Sequence, residues 1–207
     1  MLEAGESTIE RARRLVRGHS AGTLLYDGTP FEARYVIDPG SGDLVVECDR
    51  DSVSANDVSL AIPKDSFDAA ARVCVELSDV VEEALRDRFT AYHLPAVEPM
   101  LGIAAVSFVK LDSGEVVDRD ALALVNPLSG AQGKLCKIIN SDRARLTALC
   151  KAITGTGIVD ALCVGVDDRG LDVRAQRGVV RLELPAPVGD LDEAERVIGA
   201  MLDACDA

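Results

Sequence analysis

Residues 159–184 read VDALCVGVDDRGLDVRAQRGVVRLEL, and the architecture of the C-terminal part follows from them. Three β-rich runs, Val159–Val166, Leu171–Arg174 and Val179–Leu184, are separated by Asp167-Asp168-Arg169-Gly170 and Gln176-Arg177-Gly178. Glycine and aspartate between short apolar runs are turn chemistry, so the pattern predicts three antiparallel strands. Helical periodicity flanks them. Upstream, Leu135, Ile139, Leu146, Leu149, Cys150 and Ile153 recur on one side of a segment over 135–153, with Asn140 or Ser141 as a cap. Downstream, Asp190 and Glu193 are the ends of a capping box, followed by Leu191, Ala194, Val197, Ile198, Met201 and Leu202. The order is α-β-β-β-α, in which two helices cover one face of the sheet.

The N-terminal part reads differently. Ser7 and Glu10 open a helix carrying Ile9, Ala12, Leu15 and Val16, with Gly18 and Gly22 at its exit. Ala21–Tyr26, Phe31–Ile37 and Leu44–Cys48 follow as strands joined by Asp27-Gly28-Thr29-Pro30 and Pro39-Gly40-Ser41-Gly42. A meander of this kind begins a small barrel or sandwich. The 49–70 stretch carries no clear period around its apolar patch Val58–Ile62. Ala71–Leu77 reads as a strand, Asp79 as the start of a helix through Phe89, Leu101–Leu111 as a central strand, and Leu122–Val125 as one more short strand.

Composition narrows the function classes. The chain has 207 residues with four Phe, three Tyr and no Trp, so its core is aliphatic and it lacks the aromatic platform that single-stranded nucleic acid stacks on. The net charge of −13 is concentrated in residues 43–120, which hold 17 acidic against 7 basic side chains. That segment repels phosphate backbones and predicts no nucleic-acid partner. With no apolar run of transmembrane length and no basic-then-apolar leader after Glu3 and Glu6, the reading is a cytoplasmic protein with no membrane partner. Cys48, Cys74, Cys136, Cys150, Cys163 and Cys205 form no C-x-x-C pair and no Cys/His metal cluster, and read as small buried hydrophobes.

The C-terminal pattern resembles a known module. Ile139-Asn140-Ser141-Asp142, Ala161–Asp167, Gly170-Leu171-Asp172-Val173-Arg174 and Val180–Pro185 are similar to the C-terminal α/β domain of haem-utilisation (HugZ-like) proteins. There it follows a split barrel related to pyridoxamine 5'-phosphate oxidase, which the N-terminal strands match loosely. The resemblance implies an α+β fold: an N-terminal FMN-binding-type split β-barrel over 1–130 and a C-terminal α-β-β-β-α domain over 131–207. It also implies a homodimer with haem or flavin in a groove between subunits. Two departures stand out. The family's linker histidines are replaced by Ile138 and Arg143, and the stretch after the third strand, Cys48-Asp49-Arg50-Asp51-Ser52, is acidic where a flavin phosphate would bind.

With only two histidines in the chain, a haem iron would take His93 or His19 as its ligand by elimination; as plain helix-end histidines, both would instead favour the helix dipole. Arg34 is placed to pair with a propionate or phosphate, or simply with Glu32 or Glu47. Lys134 and Lys137 begin a basic stretch continued by Arg143, Arg145 and Lys151, which reads as an anion site or a solvated helix face. Gly155-Thr156-Gly157 reads as a connection, and Asp118-Arg119-Asp120 as a turn. Three functions remain open on these residues, so enzyme status is unassigned: a haem-binding protein of the haem-utilisation type, with or without haem degradation; an FMN-dependent oxidoreductase; and a non-catalytic, cofactor-free protein-binding regulator of tetrapyrrole metabolism.

Overall fold

The computed structural model describes residues 6–63, 69–155, 157–176 and 178–204. Thr156, Arg177 and Cys205, which figure in the expectations above, lie outside the described residues. The chain divides into two compact units, Met1–Val125 and Asn126–Ala207.

In the first unit, helix α1 (Thr8–Gly18) is capped by Ser7, whose hydroxyl accepts the Glu10 N–H at 3.2 Å. Strands β1 (Ala21–Tyr26), β2 (Thr29–Ile37) and β3 (Leu44–Glu47) form the expected meander. After a short helix α2 (Arg50–Val53) come β4 (Val58–Ile62), β5 (Ala71–Ser78), α3 (Glu83–His93), β6 (Leu101–Leu111), β7 (Val116–Asp118) and α4 (Arg119–Leu122). The sheet runs β3-β2-β1-β4-β5-β6-β7, and β3 also pairs with β6. That pairing closes a six-stranded antiparallel barrel, with β7 outside the closure. Closure removes the open edges a meander would otherwise expose. β4 was illegible because all five of its residues are buried, which erases the alternation that marks a half-buried strand. Gly22 lets two strands approach closely: a Cβ there would lie 2.6 Å from the Ala61 carbonyl oxygen. The core is aliphatic, built on Leu24, Val46, Leu60, Ile62, Val73, Val106 and Val109.

Three expectations for this unit are corrected. Asp118-Arg119-Asp120 is not a turn: Asp118 ends β7, and Arg119 and Asp120 open α4. The helix placed at Asp79 begins at Glu83, because Ser78 closes β5 and its hydroxyl accepts the Val80 N–H at 3.4 Å. Leu122–Val125 is not a strand. α4 ends at Ala123 with φ 45°, and the carbonyls of Ala121 to Leu124 are taken by two buried arginines of α1. Arg13 reaches Leu122 O at 2.6 Å and Ala121 O at 3.1 Å, and Arg17 reaches Ala123 O at 3.2 Å and Leu124 O at 3.3 Å. With side chains satisfying these carbonyls, no strand partner is required.

The second unit contains α5 (Gln132–Asn140), α6 (Arg143–Thr154), β8 (Leu162–Asp167), β9 (Gly170–Ala175), β10 (Gly178–Glu183) and α7 (Leu191–Asp203). The sheet order is β10-β9-β8, antiparallel throughout. The segment expected as one helix is two, broken at Ser141, whose hydroxyl donates to Ile138 O at 2.7 Å. Asp142, not Asn140 or Ser141, caps the second, accepting the Arg145 N–H at 3.1 Å. Asp190 caps α7 as expected, while Glu193 reaches back to the Gly189 N–H at 2.8 Å. Leu135, Ile139, Leu146, Leu149, Val173, Leu182 and Ile198 fill the core; Ile153 is half exposed instead.

Candidate functional site

Strand β2 and helix α3 build the corner that carries two of the sequence candidates. Tyr35 donates its N–H to Ser20 O at 2.9 Å, just before β1 begins at Ala21. The Tyr35 carbonyl oxygen meets His93 Nε2 at 3.0 Å. A carbonyl only accepts, so Nε2 carries the proton and Nδ1 holds the lone pair. The ring packs on Phe89, with centroids 4.6 Å apart. Burial lowers the His93 pKa below the ordinary imidazole value, outweighing the Tyr35 bond. His93 is tied to the backbone of β2.

Arg34 sits beside it and is already engaged. Its backbone N–H reaches Glu47 Oε2 at 3.0 Å, its Nε reaches the same oxygen at 2.9 Å, and its Nη2 bonds Oε1. Its guanidinium carbon lies 5.9 Å from the centre of the Phe89 ring. Burial pushes the Glu47 carboxyl up, but the Arg34 hydrogen bonds outweigh it and the pKa falls below the ordinary carboxylate range. The fork that would grip a propionate or phosphate holds Glu47. The structure thus brings Arg34 and His93 together, around Phe89 and Glu47.

His19 is different. It lies exposed just past α1, and its Nδ1 is 2.9 Å from the Leu15 carbonyl oxygen. By the same logic Nδ1 carries a proton, which makes Nε2 the ring nitrogen able to offer a lone pair. A backbone carbonyl that fixes tautomer and orientation in this way is the outer-shell support found behind metal-bound imidazoles. Of the two histidines, His19 is the one whose donor nitrogen belongs to an exposed ring.

The segment after β3 bears on the flavin. Asp49 caps α2, accepting the Ser52 N–H at 2.8 Å, and also accepts the Tyr26 hydroxyl at 2.8 Å. The Ser52 amide bond is the chief reason its pKa is lowered. A carboxylate therefore already occupies the helix-start amides that a phosphate would use. With Arg34 committed to Glu47 as well, these residues do not fit an FMN phosphate.

The basic stretch belongs to the second unit and is spread over several tasks. Lys134 pairs with Glu195 at 2.7 Å, Arg145 pairs with Asp203, and Arg143 Nε donates to Ala161 O at 3.0 Å. Lys137 and Lys151 are exposed. Asn140, the asparagine that carried part of the family resemblance, pairs with both backbone groups of Cys163, each at 2.8 Å. No sequence signal separates such an edge-capping amide from a ligand-binding one.

Cavities are modest. In the first unit one of 190 Å³ is lined by Gly42, Arg119 and Leu124 among others. In the second, one of 450 Å³ lies between Pro185–Val188 and α7. Among the described residues no group of three or more metal-ligating side chains is placed to hold an ion, and no helix is long and apolar enough to cross a membrane.

No protein-family model matches the chain, and a search of curated proteins finds no significant match. Among solved structures, the chain is similar to a protein of unknown function from Agrobacterium tumefaciens str. C58, with a TM-score of 0.72 and 13% identity over 98% of this chain and 100% of that one. This likeness supports the fold alone. A heme binding protein from Mycobacterium smegmatis aligns over 99% of both chains at 18% identity, but its TM-score of 0.42 is too low to bear on this molecule.

Proposed function

We propose that this chain is a haem-binding split-barrel protein of the haem-utilisation type, with His19 as the iron ligand. The observation that carries the reading is the exposed imidazole whose Nδ1–H is fixed by Leu15 O, leaving Nε2 as the donor nitrogen. The closed barrel followed by an α/β unit is the architecture that the family resemblance implied, and a homodimer belongs to the same reading. The bound haem would supply a Lewis-acidic iron; the contribution of the chain is to ligate it at His19 and hold that ring in one tautomer. His93 is assigned a structural role, since its Nε2–H donates to the Tyr35 carbonyl of β2. Titration with hemin, followed at the Soret band, tests this. The wild type and His93→Ala give a saturable shift, and His19→Ala loses it. A shift that survives in His19→Ala but vanishes in His93→Ala overturns the assignment.

One observation favours a second reading, a non-catalytic protein-binding regulator. The ends of β5 and β6 pair at Ser78 and Ile103, and the segments 79–82 and 94–100 flank α3 between them. They expose Val80, Leu94 and Val97, at 76%, 62% and 80%, next to Asp79, Glu82 and Glu98. A wild-type protein that leaves the hemin spectrum unchanged moves the assignment to this surface.

A further inference from the structure

The amide clamp between α5 and β8 brings two cysteines together. Asn140 holds the backbone of Cys163 from both sides, which fixes the last turn of α5 over that strand residue. Cys136 precedes Asn140 by one helical turn, so its side chain lies on the same face and meets the same residue. The Cys163 Sγ is 3.8 Å from the Cys136 Sγ. Cys163 is 2% exposed, whereas Cys136 is only partly covered and open to small reagents. We propose that Cys136 and Cys163 are a redox modification site, at which a peroxide converts the thiol pair into a disulfide that locks α5 onto β8.

The chemistry divides between the two sulfurs. Cys136 is the accessible thiol: as thiolate it attacks hydrogen peroxide, the O–O bond breaks, and sulfenic acid and hydroxide form. The Cys163 sulfur then attacks the Cys136 sulfur, the S–O bond breaks, and oxygen leaves as water with the Cys163 proton. The net reaction consumes two thiols and one peroxide and yields one disulfide and two waters. A dithiol reductant reverses it by exchange. The sulfurs need to close by about 2 Å to reach bonding distance. The remaining described cysteines are poor competitors. Burial pushes the thiols of Cys48 and Cys150 up to about 11, and burial also raises that of Cys74. The Cys163 thiol is raised by its hydrogen bond to Cys136 and by burial, so the first attack on peroxide falls to Cys136.

The test uses the full chain, treated with stoichiometric hydrogen peroxide, alkylated and mapped by peptide mass spectrometry. The expected product is a Cys136–Cys163 cross-linked peptide lighter by two hydrogens, abolished by dithiothreitol and absent in Cys136→Ser. In Cys163→Ala, dimedone labels Cys136 as a trapped sulfenic acid. The oxidised wild type also melts about 5 °C or more above the reduced one, because the cross-link restrains the unfolded chain. Oxidation that leaves both residues fully alkylatable, joins other cysteines, or carries Cys136 to sulfinic acid without a cross-link overturns the proposal. The wild-type map needs no variant, so a Cys163→Ala chain that fails to fold leaves the test decisive.

Discussion

The two units satisfy the same backbone requirement with different chemistry. In the barrel, backbone groups of the strands are met by ionisable side chains: His93 at Tyr35 O, Glu47 at Arg34 N–H, Arg88 at Ile37 O and Asp43 at Val106 N–H. In the C-terminal unit the β8 edge is met largely by amides, with Asn140 at Cys163 and both Gln132 and Asn126 at Val166 O. Amides neither titrate nor carry a full charge. The ionisable residues most readily read as ligands in the barrel, Arg34 and His93, are therefore engaged with its own backbone and with Glu47.

The comparison is tested most severely where the C-terminal unit does use charge. Arg181 is buried between Asp172 at 3.0 Å and Asp167 at 2.6 Å. Arg181→Leu removes the cation shared by two carboxylates and is expected to cost about 3–5 kcal/mol in denaturant unfolding, the largest effect. A loss below about 1 kcal/mol would mean the cluster is solvated. Next comes Asn140→Ala, which leaves both polar groups of a buried residue unpaired, at about 2–4 kcal/mol. Amide hydrogen exchange at Cys163 should accelerate with it, and unchanged exchange would refute the amide-edge account. In the barrel, Glu47→Gln keeps the shape and removes the charge. Because the Arg34 side chain is 37% exposed, solvent screening limits the loss to about 1 kcal/mol.

The smallest effect separates the units by pH. The His93 pKa is lowered in the folded state, so the unfolded imidazole binds its proton first as pH falls. The stability from neutral His93 is complete above the ordinary value of 6.5, declines below it, and is lost once pH passes the folded-state value. His93→Gln retains a donor for Tyr35 O without this titration, so its stability should stay flatter between pH 6.5 and the onset of carboxylate protonation. Equal acid sensitivity in wild type and His93→Gln would place the titration elsewhere.

Much of the fold was legible. The β1–β2–β3 meander, β6, the three C-terminal strands and the Ser7 and Asp190 caps all follow from period and turn residues. β4 was not, because burial on every side removes alternation, and α5 was not told apart from α6, because the apolar period runs on through the break at Ser141. Barrel closure by β3 and β6 is a pairing between distant residues that no local pattern encodes. The site was legible only as a set of residue types. Sequence weighs His19 and His93 alike, and their hydrogen bonds to Leu15 and Tyr35 distinguish them.

The most direct measurement is hemin binding to His19→Gly with and without free imidazole. If His19 ligates the iron, the variant loses the wild-type Soret band and added imidazole restores it by filling the vacated position. A His19→Gly chain that binds hemin with the wild-type spectrum and ignores imidazole would contradict the account.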